Sequence, residues 1–292
     1  MTTLLETVRQ RVVLFDGGLG SELIKNGLPQ GVCPESWNID RPEAVRGVHR
    51  SYFAAGADAV STNSFGGSPI KLANYHLDDK CREINLAAAG LAVAEKPAGR
   101  FVAGSMGPTG KFLKPQGDYE PGAFEQAFAV QAEALTAGGV DVLIIETMYD
   151  LEEALCALRA AKRASSLPVF VTITFNRSRR GFFTLMGDSV AKCVKALEEN
   201  GAAAVGSNCT LDSAAMVDLV KEFSGHTSLP IIAQPNAGQP TISAGNEVVY
   251  SQGVDDYVAS VPAIVANGAR IVGGCCGTDP AYIKRMAETL RR

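Results

Sequence analysis

Three cysteines have the type and placing to do chemistry together: Cys209 at the end of GSNC, and the adjacent pair Cys275 and Cys276 inside GGCCGTDP. Thiolates are soft ligands suited to a borderline metal such as zinc. Three of them leave one tetrahedral position open, as catalytic centres do and structural centres do not. An iron–sulfur cluster would usually require four cysteines at recognisable spacing. Of the four others, Cys81, Cys156 and Cys193 fall in stretches of helical spacing, where cysteine acts as a small hydrophobe. Cys33, in the long loop after the first strand, is the one candidate for a fourth ligand. His49, His76 and His226 are the only histidines, none is near a strand end, and all three are expected on helix or loop surfaces. Imidazole ligation and a histidine base therefore have little support.

Two acids join the cysteines as candidates. Asp16 and Glu146 each follow a short apolar run, and as paired acceptors they suit an ammonium group. Gly17 and Gly18, with no side chain, would let a carboxylate approach their amides closely. The bland alternatives are an ordinary Asp-Gly turn at Asp16 and an exposed strand end at Glu146.

These residues need elements to position them. Short β-branched or apolar runs alternate eight times with longer stretches of helical spacing. The predicted strands cover residues 12–15, 58–62, 101–105, 141–146, 168–175, 203–208, 229–234 and 269–274. Helices are predicted in PEAVRGVHRSYFAAG, AFEQAFAVQAEALTAGG, LEEALCALRAAKRA, AKCVKALEENG and PAYIKRMAETLRR, several with Gly just past the end. Strict alternation implies a parallel sheet, and eight units in 292 residues match an α/β fold made of a single (β/α)8 TIM barrel spanning residues 1–292. A doubly wound open sheet is the main competitor, but the first strand-to-helix turn reads FDGGLGSEL and lacks G-x-G-x-x-G.

In such barrels chemistry sits on the loops leaving the carboxyl ends of the strands. Asp16, Asn63, Ser105, Glu146, Cys209, Asn236 and the Cys275–Cys276 pair all fall there. Side chains of alternate strands share a layer, so strands six and eight can aim Cys209 and the cysteine pair at one spot, with the GGCCG glycines permitting the turn that brings both thiols to it. A rival is that GGCCG grips a phosphate through its amides, which leaves the thiols unexplained.

The bulk numbers narrow the setting. A hydrophobic content of 46% supports a sizeable core, and a net charge of −4 with no Lys/Arg run beyond a pair argues against a nucleic-acid partner. No stretch of about 18 apolar residues exists to cross a membrane, and MTTLLETVRQR mixes charge into its apolar residues, so a soluble, untargeted chain is expected. Seven scattered cysteines fit a reducing cytoplasm better than a disulfide scaffold.

In this order, FDGGLGSEL, STNSFGGS, GSMGPTG, IIETMYDLEEA, GSNC, PNAGQP and GGCCGTDP resemble the homocysteine S-methyltransferase family, from about Leu14 to the end. RPEAVRGVHRSYFAAGAD and PNAG are similar to the homocysteine-binding module of cobalamin-dependent methionine synthase. The resemblance implies a (β/α)8 barrel and methyl transfer to the homocysteine thiol, giving methionine. It implies zinc on Cys209, Cys275 and Cys276, with Asn236 as a fourth ligand that substrate displaces. It also implies the homocysteine amino group on Asp16 and Glu146 and its carboxylate at the Gly17–Gly18 turn. The chain departs from the family's DGAMGT and TNTFGA with DGGLGS and TNSFGG, which bears on the substrate end more than on the metal. Relatives take the methyl group from methylcobalamin, S-methylmethionine, S-adenosylmethionine or betaine. With no room for cobalamin, folate or reactivation modules, a cobalamin route would need a separate methylcobalamin protein. The betaine branch carries a C-terminal extension that is not expected here, which weighs against that donor. Two readings from other classes stay open: a phosphate-ligand barrel enzyme, and a non-catalytic thiol-binding or redox protein.

Overall fold

The computed structural model describes residues 2–242 and 248–291. Eight parallel strands form its centre: β1 (Val13–Leu14), β2 (Ala59–Ser61), β3 (Phe101–Met106), β4 (Val142–Met148), β5 (Val169–Ile173), β6 (Ala204–Asn208), β7 (Ile231–Gln234) and β8 (Ala269–Val272). Their order is β1-β8-β7-β6-β5-β4-β3-β2. A parallel bridge from Phe15 to Ala59 brings the two edge strands together. This is the (β/α)8 TIM barrel expected from the alternation, and each strand overlaps its predicted run to within about three residues at either end.

The strands read as unbroken apolar runs because both faces are covered. Inward residues such as Phe15, Phe101, Ile144, Phe170 and Ile232 fill the barrel, and outward ones pack on the helices. Helix Leu151–Ala164 shows how the local sequence suits its place. Asp150 caps it by accepting from Glu152 N, acids occupy its first turn, and Lys162 and Arg163 occupy its last. Helix Pro42–Ala55 ends on Gly56 at φ 109°, a left-handed conformation that glycine adopts without strain.

Several features differ from the sequence expectations. The N-terminal helix Leu4–Gln10, closed by a Thr3–Glu6 capping box, plugs the amino end of the barrel with Leu4 and Val8. Two β-hairpins rise from the carboxyl-end loops, at Asn176–Ser178 with Gly181–Phe183 and at Pro240–Ile242 with Val248–Tyr250. His49 is not on a surface: it is fully buried in helix Pro42–Ala55 with both ring nitrogens unpaired, and burial pushes its pKa down to about 4, so it stays neutral. Histidines 76 and 226 are exposed, as expected. Among the described residues no helix is long and apolar enough to cross a membrane.

The join between β1 and β2 rests on one buried carboxylate. Asp58 accepts from Leu14 N at 3.0 Å, from both Arg11 terminal nitrogens at 2.7 and 3.0 Å, and from Arg100. Asp58→Ala leaves these donors unpaired at the amino end, far from the candidate site. The expected cost is about 2 kcal/mol, since the arginines are partly solvated. Thermal unfolding should record a Tm lower by about 5 °C; an unchanged Tm would mean that the clamp contributes nothing.

Candidate metal centre and substrate cavity

The period-two alternation of the strands decides what faces the carboxyl end of the barrel. Inward positions that are apolar lower down become Ser61, Ser105, Glu146, Thr172, Asn208 and Gln234 at the top. Of these, Ser61, Ser105, Glu146 and Gln234 line a cavity of about 350 Å³ whose walls also include Asp16, Gly17, Gly18, Phe65, Cys209, Cys275 and Cys276, while Thr172 and Asn208 are buried beneath it. A larger cleft of about 610 Å³ lies at the other end beside Arg11 and Asp58 and has no nucleophile.

The structure brings the three expected cysteines together: their sulfurs all lie within 4.8 Å of one another. Cys209 directly follows β6 at φ 63° and Thr210 follows at φ 50°, left-handed conformations that cost a non-glycine residue on the order of 1 kcal/mol or more. Hydrogen bonds hold this turn, from Cys209 N to Gln234 O (3.1 Å), Leu211 N to Cys209 O (2.6 Å) and Thr210 Oγ1 to Phe175 O (2.9 Å). On the other side Cys275 N donates to Pro235 O at 2.9 Å. Of the GGCCG glycines, Gly277 is needed for its φ of 81° and because the Tyr250 ring packs against it. Gly274 is needed for space, since a Cβ there would strike the Thr278 side chain.

Among the three thiols one sulfur takes the charge. Thiol hydrogen bonds from Cys275 and Cys276 hold Cys209 far below an ordinary thiol. The same bonds, with burial, push Cys275 well up; Cys276 rises to about 11 mainly through its bond to Cys209. Asn236, on the loop after β7, places its side chain beside Cys209, yet its Oδ1 is buried without a partner. An acceptor with no donor beside three converging sulfurs fits a cation. Cys33 takes no part: it packs in a separate cluster with Leu72, Cys81 and Ile84 and donates to Glu35 Oε2 at 3.1 Å. Cys156 and Cys193 are buried on helices.

Asp16 and Glu146 form the other half of the cavity. Asp16 Oδ2 accepts from Ser61 N at 2.7 Å, and its pKa rises to about 8 through burial, opposed by the Ser61 bonds and assisted by the charge of Glu146. Glu146 Oε1 accepts from Ser105 Oγ at 2.5 Å and Oε2 from Asn208 Nδ2 at 3.2 Å, and burial lifts it to about 7. Among the described residues no lysine, arginine or histidine offsets either charge. Two carboxylates held close together with no neighbouring cation have the chemistry to receive a positively charged group.

Gly17 and Gly18 line the same cavity, packed under the cysteine turn. A Cβ would lie 2.5 Å from Thr278 O at Gly17 and 2.7 Å from Cys275 O at Gly18. The Gly18 amide already donates to Thr278 O at 2.9 Å. The phosphate-grip alternative keeps only the Cys276 amide of the GGCCG run, because Gly273, Gly274, Cys275 and Thr278 donate their amides to backbone carbonyls and Gly277 donates to Ser21 Oγ. Asn208, Thr172 and Gln234 were not singled out by the sequence reading. Strand alternation places all three inward, and that signal was available.

Comparison with known proteins adds to this geometry. A family model described as homocysteine S-methyltransferase matches residues 13–290. Methionine synthase of Mycobacterium tuberculosis (strain ATCC 25618 / H37Rv) is 34% identical over 310 residues, covering 99% of this chain and 25% of the relative. That of Mycobacterium leprae (strain TN) is also 34% identical, over 312 residues, with 100% and 25% covered. The chain thus spans about a quarter of the length of these relatives. Among solved structures, the metallated homocysteine methyltransferase MmuM of Escherichia coli superposes with a TM-score of 0.80 at 26% identity, covering 96% of this chain and 97% of that one.

Proposed function

The chain belongs to the homocysteine S-methyltransferase family and is a methyltransferase enzyme, and from that premise we propose that residues 1–292 act as one zinc-dependent barrel that methylates homocysteine to methionine. The observation that carries the reading is the convergence of Cys209, Cys275 and Cys276 sulfurs beside the unpaired Asn236 Oδ1. Those four residues would hold the zinc, with Asn236 giving way to substrate. Zinc bound there would keep an incoming thiol deprotonated at neutral pH.

The chain's own residues do the rest. Asp16 and Glu146 receive the ammonium group, which fixes the amino end of the substrate so that its sulfur lies towards the cysteines. The Gly17–Gly18 turn receives the carboxylate, with Gly17 supplying the amide because that of Gly18 is taken by Thr278. Ser61 and Ser105 orient the two acids through the bonds described above. The substrate sulfur then forms a bond to the methyl carbon, the donor departs with the electron pair of the broken bond, and the thiol proton leaves to solvent. No histidine base is needed.

For the donor we favour methylcobalamin held by a corrinoid-binding unit, so that this barrel is the homocysteine-activating part of a methionine synthase. The support is the identity to methionine synthases, 34% against 26% for MmuM. MmuM, similar along nearly its whole length, favours the alternative that the chain works alone with S-methylmethionine or S-adenosylmethionine, betaine being the remaining donor of that class. Metal-loaded protein should be assayed with homocysteine and each donor in turn, and methionine measured. Turnover is expected with a methylated corrinoid protein. Comparable turnover with a sulfonium donor alone would replace the cobalamin reading with the self-sufficient one.

A further inference from the structure

One buried side chain bonds to residues lining both halves of the cavity. Asn208, the last residue of β6, is 1% exposed and uses every atom of its carboxamide. Its Oδ1 accepts from Thr147 N at 2.8 Å and from Thr172 Oγ1 at 2.8 Å. Thr147 N can only donate, so the amide orientation is fixed. The two hydrogens of Nδ2 are shared among Thr147 Oγ1 at 2.7 Å, Glu146 Oε2 at 3.2 Å and Cys275 Sγ at 3.7 Å.

The place it clamps is irregular. Pairing of β4 with β5 runs from Ile145↔Val171 to Met148↔Ile173, so β4 carries one extra residue, and Thr147 within it sits at φ 62°. Such bulges re-aim side chains and need outside bonds to persist. Here the carboxamide of Asn208 supplies those bonds and holds Glu146 in the cavity, while the same group reaches a sulfur of the cysteine centre and its own backbone leads straight into Cys209.

Resting on the functional reading above, we propose that Asn208 is a positioning residue that sets the distance between the amine-binding carboxylate and the sulfur centre, and thereby selects homocysteine over cysteine. The two amino acids share an ammonium, a carboxylate and a thiol, and differ only in having three or two carbons between nitrogen and sulfur. A protein can distinguish them only by holding its two receiving groups at a fixed span, and Asn208 is the side chain that bonds to both.

The test uses metal-loaded full chain with Asn208→Ala and Asn208→Asp. The second keeps the acceptor bonds to Thr147 N and Thr172 and removes the donors to Glu146 and Cys275, so it serves if the first does not fold. Metal content and the dissociation constants of homocysteine and cysteine are measured by calorimetry. An added charge at Asn208→Asp acts on both amino acids alike, so their ratio reports the span. The expected result is one metal per chain in wild type and variants, with the preference for homocysteine over cysteine reduced about tenfold, the range of a one-methylene discrimination. A general loosening of the cavity would weaken both amino acids together; an unchanged ratio in the folded variants overturns the proposal. Wild-type protein that binds no homocysteine would strike the functional reading itself, and this inference with it.

Discussion

Cys209→Ser, Cys275→Ser and Cys276→Ser are each expected to remove the bound metal and lower methyl transfer by at least about three decades, or about 4 kcal/mol of transition-state stabilisation. A hydroxyl is a poor ligand for a borderline metal, and two thiolates cannot replace three. The fold should survive, because the sulfurs are only partly buried at the cavity wall and are held by backbone bonds that serine also makes. Cys209 is the strictest case: its left-handed turn is fixed by Gln234, Phe175 and the Leu211 amide, none of which touches the sulfur. Metal analysis, far-ultraviolet circular dichroism and turnover should therefore separate, with the first and last lost and the second kept. In wild type, metal uptake should release protons, since Cys275 and Cys276 hold theirs tightly without it. Full activity of metal-free protein would sink the zinc reading.

Both ends of this site were legible in the sequence, but the contacts that hold them in place were not. The barrel was readable because each strand is covered on both faces, so that DVLIIE or PVFVTITF stands out as an apolar run between helical stretches. Asp16, Glu146 and the cysteines were readable because each is the polar residue ending such a run. What escaped depended on contacts that no local pattern encodes. The helix at Leu4–Gln10 is too short to show a period, and its function as a plug is set by the barrel that it meets. His49 reads as a helix-surface histidine until helix packing buries it. Asn208 was overshadowed by the cysteine beside it, although counting inward from Ala204 and Gly206 by twos leads to it. The occupied amide of Gly18 depends on Thr278, some 260 positions away in sequence, and only the closed barrel brings the two together.

Asp16→Asn is expected to stabilise the substrate-free protein at pH 8 while weakening homocysteine binding. The folded pKa of Asp16 is raised from 3.8 to about 8 by burial beside Glu146. The unfolded chain releases this proton near pH 4 and the folded chain keeps it until near pH 8, so stability falls as pH climbs through that window and the penalty from this one group levels off above it. Each decade of proton affinity is about 1.4 kcal/mol, so ionised Asp16 destabilises the substrate-free barrel at alkaline pH. Asparagine cannot ionise, so the variant's gain in Tm should grow from little at pH 5 to its maximum near pH 8. Binding runs the other way. An ammonium group between Asp16 and Glu146 rewards ionisation of both, so wild-type affinity for homocysteine should improve from pH 6 to pH 8 as the two protons leave. In Asp16→Asn the slope should flatten to the part due to Glu146, whose own pKa is raised to about 7. Removing one partner of a buried charge pair costs about 2–4 kcal/mol, so the homocysteine KM should rise from about thirtyfold to several hundredfold. Glu146→Ala should raise KM in the same direction with the metal retained. An Asp16→Asn enzyme with wild-type KM at pH 8 would show that the buried pair is not the receptor of the amine, and one whose Tm follows the wild-type pH dependence would show that burial does not raise the Asp16 pKa.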